Sequence, residues 1–526
     1  MSDFDAIVIG SGFGGAITSC RLAEAGYKVL VLERGRRWDP TTFPREANDP
    51  FLWDNTAPEK FNGWFDLRMW KNMSVIQGAG VGGGSLVYAN ISIKAKKETF
   101  DKGWPAEITF AELADPYAKV GQMLNVRPVP EAQWPERTKL MKEAAGKMGW
   151  ADRFEPLELA VSFDDEWNYG LPNPHSHTRS KEFTNPQGKK QGTCVHLGYC
   201  DIGCDVNARN TLDLNYLALA ETKGADVRPL HLVSGIEPQT GGYKVHFNRI
   251  EAGKLVPGSA TARIVILGAG SLGSTELLLR ARDEQKTLPN ISAKLGHGWS
   301  SNGDFLTPAI HPRRSVNATA GPTITCAINL LDGAVDGQEV FIEDGGLPDI
   351  VDGALWRLSQ SKDTTEFVKM VIQSLRPLLT ANNLAEHVMP WFAQARDAAD
   401  GTFSLKKGPD GKMKFDLQWD IKKSKRTMDA VVSTHQKLAL ATEGMPLTPF
   451  TWTILRDLIT PHPLGGCNMG SSAADGVVGH NGEVFGYKNL YVADGAIVPK
   501  AIGLNPSRTI GALAERIAKI IVAEAR

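Results

Sequence analysis

Cysteine is scarce, six in 526 residues, so no disulfide framework holds this chain together. Charge of one sign is also missing: 58 Lys and Arg nearly cancel 59 Asp and Glu. A surface without excess positive charge does not neutralise phosphates, which argues against a nucleic-acid partner. No apolar run approaches the roughly 18 residues needed to cross a bilayer. Internal repeats and low-complexity tracts are lacking. The first residues lead straight into the apolar segment AIVIG without a basic and then apolar leader, which predicts a cytoplasmic protein. The composition is otherwise ordinary for a globular protein, 42% hydrophobic and 22% charged. At this length one small core is not enough, and two lobes are expected.

Glycine is plentiful and clustered. Residues 5–35 read as strand, turn, helix, strand: DAIVIG, SGFGGA, ITSCRLAEAGY, KVLVLERG. Gly10, Gly12 and Gly15, with Gly14 among them, form G-x-G-x-x-G between strand and helix. Such glycines permit a tight turn, close approach of backbone to a pyrophosphate, and helix-on-strand packing. Glu33 ends the second strand 23 positions after Gly10, where a carboxylate accepts ribose hydroxyls. FAD and NAD both use this fingerprint, so it does not choose between them. A second glycine cluster lies at 78–84, and RIVILGAGSLGSTELLLRAR repeats the strand–glycine–helix pattern at 263–282. Ahead of both, the aromatic stretch at 36–72 predicts an irregular cover over a binding site.

Four regions carry a family resemblance. GAGVGGGSLVYAN (78–90) and GAGSLGSTELLLR (268–280) resemble the two signature regions of glucose–methanol–choline oxidoreductases. HPLGGCNMG (462–470) and NLYVADGAIVPKAIGLNPSRTIGALAERI (489–517) resemble the C-terminal half of that family, in its cholesterol oxidase branch. The resemblance implies an α/β fold: a Rossmann-like FAD-binding lobe plus an α+β substrate lobe on a mostly antiparallel sheet. The expected FAD lobe comprises 1–95, 192–310 and 456–526; the expected substrate lobe comprises 96–191 and 311–455. Gly80, Gly83 and Gly84, with Gly82, would admit the flavin. Ser85 and Asn90 would donate hydrogen bonds to it. Val233, Gly268, Asp494 and Gly495 complete the implied cofactor side. Some relatives tether FAD through a His near the second glycine cluster; here the first His is His175, so non-covalent FAD is expected.

The implied reaction is oxidation of an alcohol by hydride transfer, with oxygen or another acceptor regenerating the flavin. A base must take the hydroxyl proton as hydride leaves, and a polar group must hold the oxygen. His462, stiffened by Pro461 and Pro463, is the candidate base. Asn505, in GLNPS, offers both a donor and an acceptor. Relatives add a substrate-lobe Glu, and Glu386 matches that place loosely, with His387 its neighbour. The aromatic stretch and the sterol oxidase likeness favour a bulky apolar or sterol-like alcohol. Cys194, Cys200 and Cys204, spaced C-x5-C-x3-C, offer an alternative: an iron–sulfur loop, with His196 as an odd ligand, passing electrons to a partner. A non-redox hydroxynitrile lyase is a further alternative, but such sites pair two His where this chain has Asn505.

Overall fold

The computed structural model describes residues 2–46, 49–348, 369, 384–448 and 457–524. The stretches 349–368, 370–383 and 449–456, assigned by sequence to the substrate lobe except for residue 456, lie outside the described residues.

The buried apolar strand Phe4–Ile9 lies between two parallel neighbours. Ile7 faces Leu30 of Val29–Leu32 on one side and Val265 of Lys254–Leu267 on the other. Asp226–Arg228 extends the parallel sheet beyond Val29–Leu32. The long strand Lys254–Leu267 changes partner along its length. Its first part pairs antiparallel with Gly242–Glu251, and its end pairs parallel with Leu490–Val492. A seven-stranded sheet therefore draws strands from the beginning, middle and end of the chain. Its central strands read as continuous apolar runs because both faces are covered. Helix Phe13–Glu24 packs on it together with the C-terminal helix Ser507–Glu524.

A second sheet of six strands is antiparallel throughout. Its order is Met445–Pro446, Phe305–Ile310, Val388–Ala395, Gln338–Glu343, Cys326–Val335, Phe154–Pro156. Phe305–Ile310, placed in the FAD lobe by sequence, belongs to this sheet: it hydrogen-bonds to Val388–Ala395 along its whole length. Helix Ile421–Ala441 covers one face, its N-terminus capped by the Asp420 carboxylate. Its buried positions 424, 427, 428, 431, 435 and 438 recur at helical spacing. His435 on that stripe hydrogen-bonds the Thr307 hydroxyl at 3.0 Å. Thr307 points toward the helix, so by strand alternation Leu306 and its cross-strand partner Phe392 point the other way.

The aromatic stretch is not an irregular cover. Leu52–Trp53, Phe65–Trp70 and Met73–Gly78 form a four-stranded sheet with Leu458–Thr460. Trp64 is fully buried against Trp38 and Phe43, and Trp70 packs on Phe403 and Phe415. The rings satisfy one another rather than facing a ligand. One end of this sheet leads into the second glycine cluster, and another leads into His462.

Candidate active site

The two strand–glycine–helix turns interlock backbone to backbone. A Cβ on Gly10, whose φ is +90°, would lie 2.6 Å from the Gly268 carbonyl oxygen. One on Gly268 would lie 2.6 Å from the Gly15 nitrogen. The second glycine cluster closes on the same point, since a Cβ on Gly83 would stand 2.5 Å from the Gly12 Cα. Glu33 is buried and braces the turn, accepting from the Ser11 amide and hydroxyl at 3.0 and 2.7 Å and from the Gly35 amide. Asp494 ties the third region in, accepting from the Gly270 amide at 2.8 Å and the Ser274 hydroxyl at 2.5 Å. Val233 is buried, two residues beyond His231, whose amide donates to the Glu33 carbonyl.

These residues suit a dinucleotide. Helix Phe13–Glu24 starts at Gly12 with no side-chain cap and no acidic residue in its first turn, leaving its N–H groups to an anion. A Cβ on Gly84 would meet no protein atom within 4 Å, and one on Gly12 would meet only ordinary contacts. Asn90 accepts from the Arg209 guanidinium at 2.9 Å while its Nδ2 is buried without a partner, a donor left for something else. Ser85 does not fit its expected role. Its hydroxyl donates to the Gly82 carbonyl at 2.8 Å and accepts from the Leu212 amide at 3.0 Å, so it holds the loop instead.

On the other side stands His462. Its Nδ1 is 2.9 Å from Asp304 Oδ1, and its amide contacts Asp304 Oδ2 and Thr460 Oγ1 at 3.2 and 2.9 Å. Its Nε2 has no hydrogen-bond partner among the described residues. Phe392 lies beside the ring, with centroids 6.3 Å apart. Directly across the strand pair from Phe392 is Glu343, on the same sheet face. Glu343 is wholly buried, takes a 2.8 Å hydrogen bond from Gln394, and lies 3.5 Å from the Asn505 amide. Glu343 Oε1 and Asn505 Oδ1 are both buried without partners. His462, Asn505 and Glu343 thus come together, from a loop, a second loop and a strand.

Comparison with known proteins decides the family. The GMC oxidoreductase family model matches residues 397–514, and a Rossmann-like NAD(P)-binding domain model matches residues 8–41. The chain is 31% identical to a cholesterol oxidase of Acinetobacter baumannii, covering 99% of this chain and 95% of that one. It is 30% identical to a cholesterol oxidase of Mycobacterium tuberculosis (strain ATCC 25618 / H37Rv), over 98% and 91%. This chain belongs to the GMC oxidoreductase family. Solved structures share the fold: pyridoxine 4-oxidase from Mesorbium loti has a TM-score of 0.61 at 16% identity, covering 98% of each chain. A fungal aryl-alcohol oxidase gives 0.60 at 15%, covering all of both chains.

As a GMC oxidoreductase, the chain is an FAD-dependent oxidoreductase, and no helix among its described residues is long and apolar enough to cross a membrane. Its substrate-lobe carboxylate is not where the sequence pointed. Glu386 is exposed, and among the described residues its carbonyl is what is engaged, accepting from the Val316 and Asn317 amides. It precedes Val388–Ala395 at the end away from Phe392, which strand rise alone puts on the order of 13 Å off. His387 is turned to the Arg314 carbonyl. The buried carboxylate beside Asn505 is Glu343. The signal for it was present: FIED is an apolar strand ending in two acids, too buried a context for solvated carboxylates. Asp344 points to the opposite face, accepting from Thr325 and Cys326 and ion-paired with Arg137, which leaves Glu343 alone on the site face.

The cysteine loop of this GMC oxidoreductase is built as packing. Cys194, Cys200 and Cys204 line a small apolar cavity with Val161, Leu197 and Pro322. Burial raises all three thiols, favouring the neutral form over the thiolate that ligates iron. His196 stacks on Trp167 at 4.0 Å, and both of its ring nitrogens are engaged, by Tyr169 and Gln133.

Burial pushes the Glu343 carboxyl up to about 8, against the opposing pull of the Gln394 and Asn505 hydrogen bonds. The folded chain therefore keeps this proton across a range where the unfolded chain loses it. The resulting stability is fully present below the ordinary carboxylate value of 4.5 and is lost as pH rises to about 8. Glu343→Gln does not titrate. The parent should lose ground to it between pH 5 and 8, with a limiting slope of about 1.4 kcal/mol per pH unit. Paired melting curves check this; a constant gap would mean the carboxyl ionises normally.

Proposed function

We propose that this protein oxidises a bulky apolar alcohol to its carbonyl, with FAD bound non-covalently and His462 as the base. The observation that carries the reading is a histidine with one ring nitrogen tied to buried Asp304 and the other without a hydrogen-bond partner among the described residues, packed beside Phe392 on the sheet face where Glu343 Oε1 and Asn505 Oδ1 are buried unpartnered. FAD, when bound, supplies the hydride acceptor. The chain's own groups handle the rest. His462 Nε2 takes the hydroxyl proton, so that carbon does not have to lose hydride from a neutral alcohol. The Asn505 amide holds the oxygen as its charge develops. Glu343, carrying its proton at neutral pH, adds no competing negative charge beside that oxygen.

An apolar substrate is supported by the sheet face next to His462. Leu306 is 37% exposed and Phe392 half-buried, in one cross-strand row with Glu343. The named relatives also act on alcohols: besides the cholesterol oxidases they include a long-chain-alcohol oxidase of Arabidopsis thaliana and a 2-methyl-1,2-propanediol dehydrogenase of Mycolicibacterium austroafricanum. The FAD lobe, in this reading, is 1–95, 192–304 and 456–526, ending before Phe305–Ile310 joins the second sheet. The test is anaerobic flavin bleaching by a panel of short primary, long-chain, aryl and sterol alcohols. Bleaching by the apolar members is expected at rates at least tenfold above the short ones. Equal rates across the panel would remove the substrate class, and no bleaching by any would remove the reaction.

A further inference from the structure

The assignment of His462 as base rests on the reading above, and it raises the question of what sets the ring. We propose that Asp304 is a positioning residue: its carboxylate fixes the tautomer and orientation of His462 and holds the positive charge the ring gains with the substrate's proton.

The geometry is specific. Asp304 is 1% exposed, and its partners all lie on the segment that carries His462: the Thr460 hydroxyl, the His462 amide and His462 Nδ1. Among the described residues no Lys or Arg contacts it. A buried carboxylate without a cationic partner is costly, and here the only cation in reach is His462 itself once protonated. A carboxylate oxygen accepts and does not donate, so the 2.9 Å contact places the proton on Nδ1 and leaves the lone pair on Nε2. Because Asp304 Oδ2 also holds the amide of the same residue, ring and backbone are gripped together.

The turn around Asp304 ties this grip to the rest of the site. Ser300 pairs with Leu464, just beyond His462, through hydrogen bonds of 2.9 and 3.1 Å. Asn302, at φ +55°, accepts from the Ile502 and Gly503 amides and donates to the Leu504 carbonyl, fixing the loop that delivers Asn505. Base and oxygen-holding amide are therefore set from one five-residue turn. Among the described residues Glu343, which keeps its proton at neutral pH, is felt by Asp304, while Asp344 is turned away to Arg137. Asp397, whose carboxyl burial raises, accepts from Ser300 and Ser301 on the same turn.

The experiment is stopped-flow flavin reduction of the holoenzyme by a good alcohol substrate, from pH 5 to 9. Asp304→Asn places an amide donor against the Thr460 hydroxyl and the His462 amide. Asp304→Ser removes the charge without adding that donor and serves as the second variant. Both should retain bound flavin. In both, the limiting reduction rate should fall ten- to a hundredfold, about 1.4 to 2.7 kcal/mol at tenfold per 1.36 kcal/mol, with little change in the apparent substrate dissociation constant. A variant that holds flavin yet reduces within twofold of the parental rate overturns the proposal. His462→Ala separates the two readings. If it leaves the rate unchanged, the base assignment fails; if it abolishes the rate while both Asp304 variants behave as the parent, only the role of Asp304 fails.

Discussion

Replacing His462 by alanine is expected to slow anaerobic flavin reduction by about a hundred- to ten-thousandfold, the usual worth of a positioned general base. The fold should survive the change. His462 is 17% exposed, so truncation opens toward the site rather than into a sealed core. Asp304 keeps two of its donors, the Thr460 hydroxyl and the amide of residue 462. Flavin content and melting temperature should therefore stay near the parent's while reduction collapses. The same measurement addresses the lyase alternative, because a chain that only breaks carbon–carbon bonds leaves its flavin oxidised by every substrate. A variant that reduces at the parental rate would mean that Nε2 takes no proton in the slow step.

Much of this was legible in the sequence for a physical reason: backbone crowding leaves a signature in glycine. Gly10, Gly83 and Gly268 stand where a Cβ would overlap another loop's backbone, and Gly15 where it would overlap the Gly10 carbonyl of its own turn, so the residue type itself encodes the contact. His462 and Asn505 were named from the resemblance of HPLGGCNMG and GLNPS to the family's motifs, since a lone His or Asn in a loop carries no such mark of its own. Other features are written only in pairings. Ser85 looked like a donor to the cofactor, but its hydroxyl is already used on both sides by its own loop and by Leu212. Phe305–Ile310 carries no mark that says which sheet it joins, since either neighbour would bury it equally well.

The carboxylates show the limit most clearly. Glu386 lies 43 positions after Glu343, and spacing to a downstream motif favoured Glu386. What separates them is face and register. Glu343 is paired with Phe392, and so looks toward His462, whereas Glu386 lies beyond the strand end in solvent. Asp304 escaped notice for the same reason. It sits in SSNGDF, an ordinary turn sequence, and nothing there announces a histidine 158 residues away. Turn residues are read as turn chemistry until their partners are known.

Gly12→Val is expected to give a folded protein that is nearly colourless, and the argument turns on which glycines face protein and which face space. Gly12 has φ −70° and ψ −168°, a conformation open to any residue, so no backbone strain follows from the change. Its Cβ would stand 3.7 Å from the Gly268 oxygen and 3.9 Å from the Gly83 Cα, which is ordinary contact. The protein alone therefore has little reason to object. A pyrophosphate lying on the uncapped helix N-terminus does, because the added methyl groups occupy its approach. Overpacking of this kind costs about 1–3 kcal/mol, or ten- to a hundredfold in FAD affinity at tenfold per 1.4 kcal/mol, with Gly12→Ala at the low end and Gly12→Val at the high end. Gly10→Ala should behave differently. At φ +90° and 2.6 Å from the Gly268 oxygen, its methyl group clashes with protein whether or not flavin is present. It should lower the melting temperature of the flavin-free chain, while Gly12→Val leaves that temperature within a few degrees. Flavin titration and flavin-free melting of the three variants measure both quantities. If Gly12→Val binds FAD as tightly as the parent, the phosphates lie elsewhere, and the glycines at this turn serve the packing of strand and helix alone.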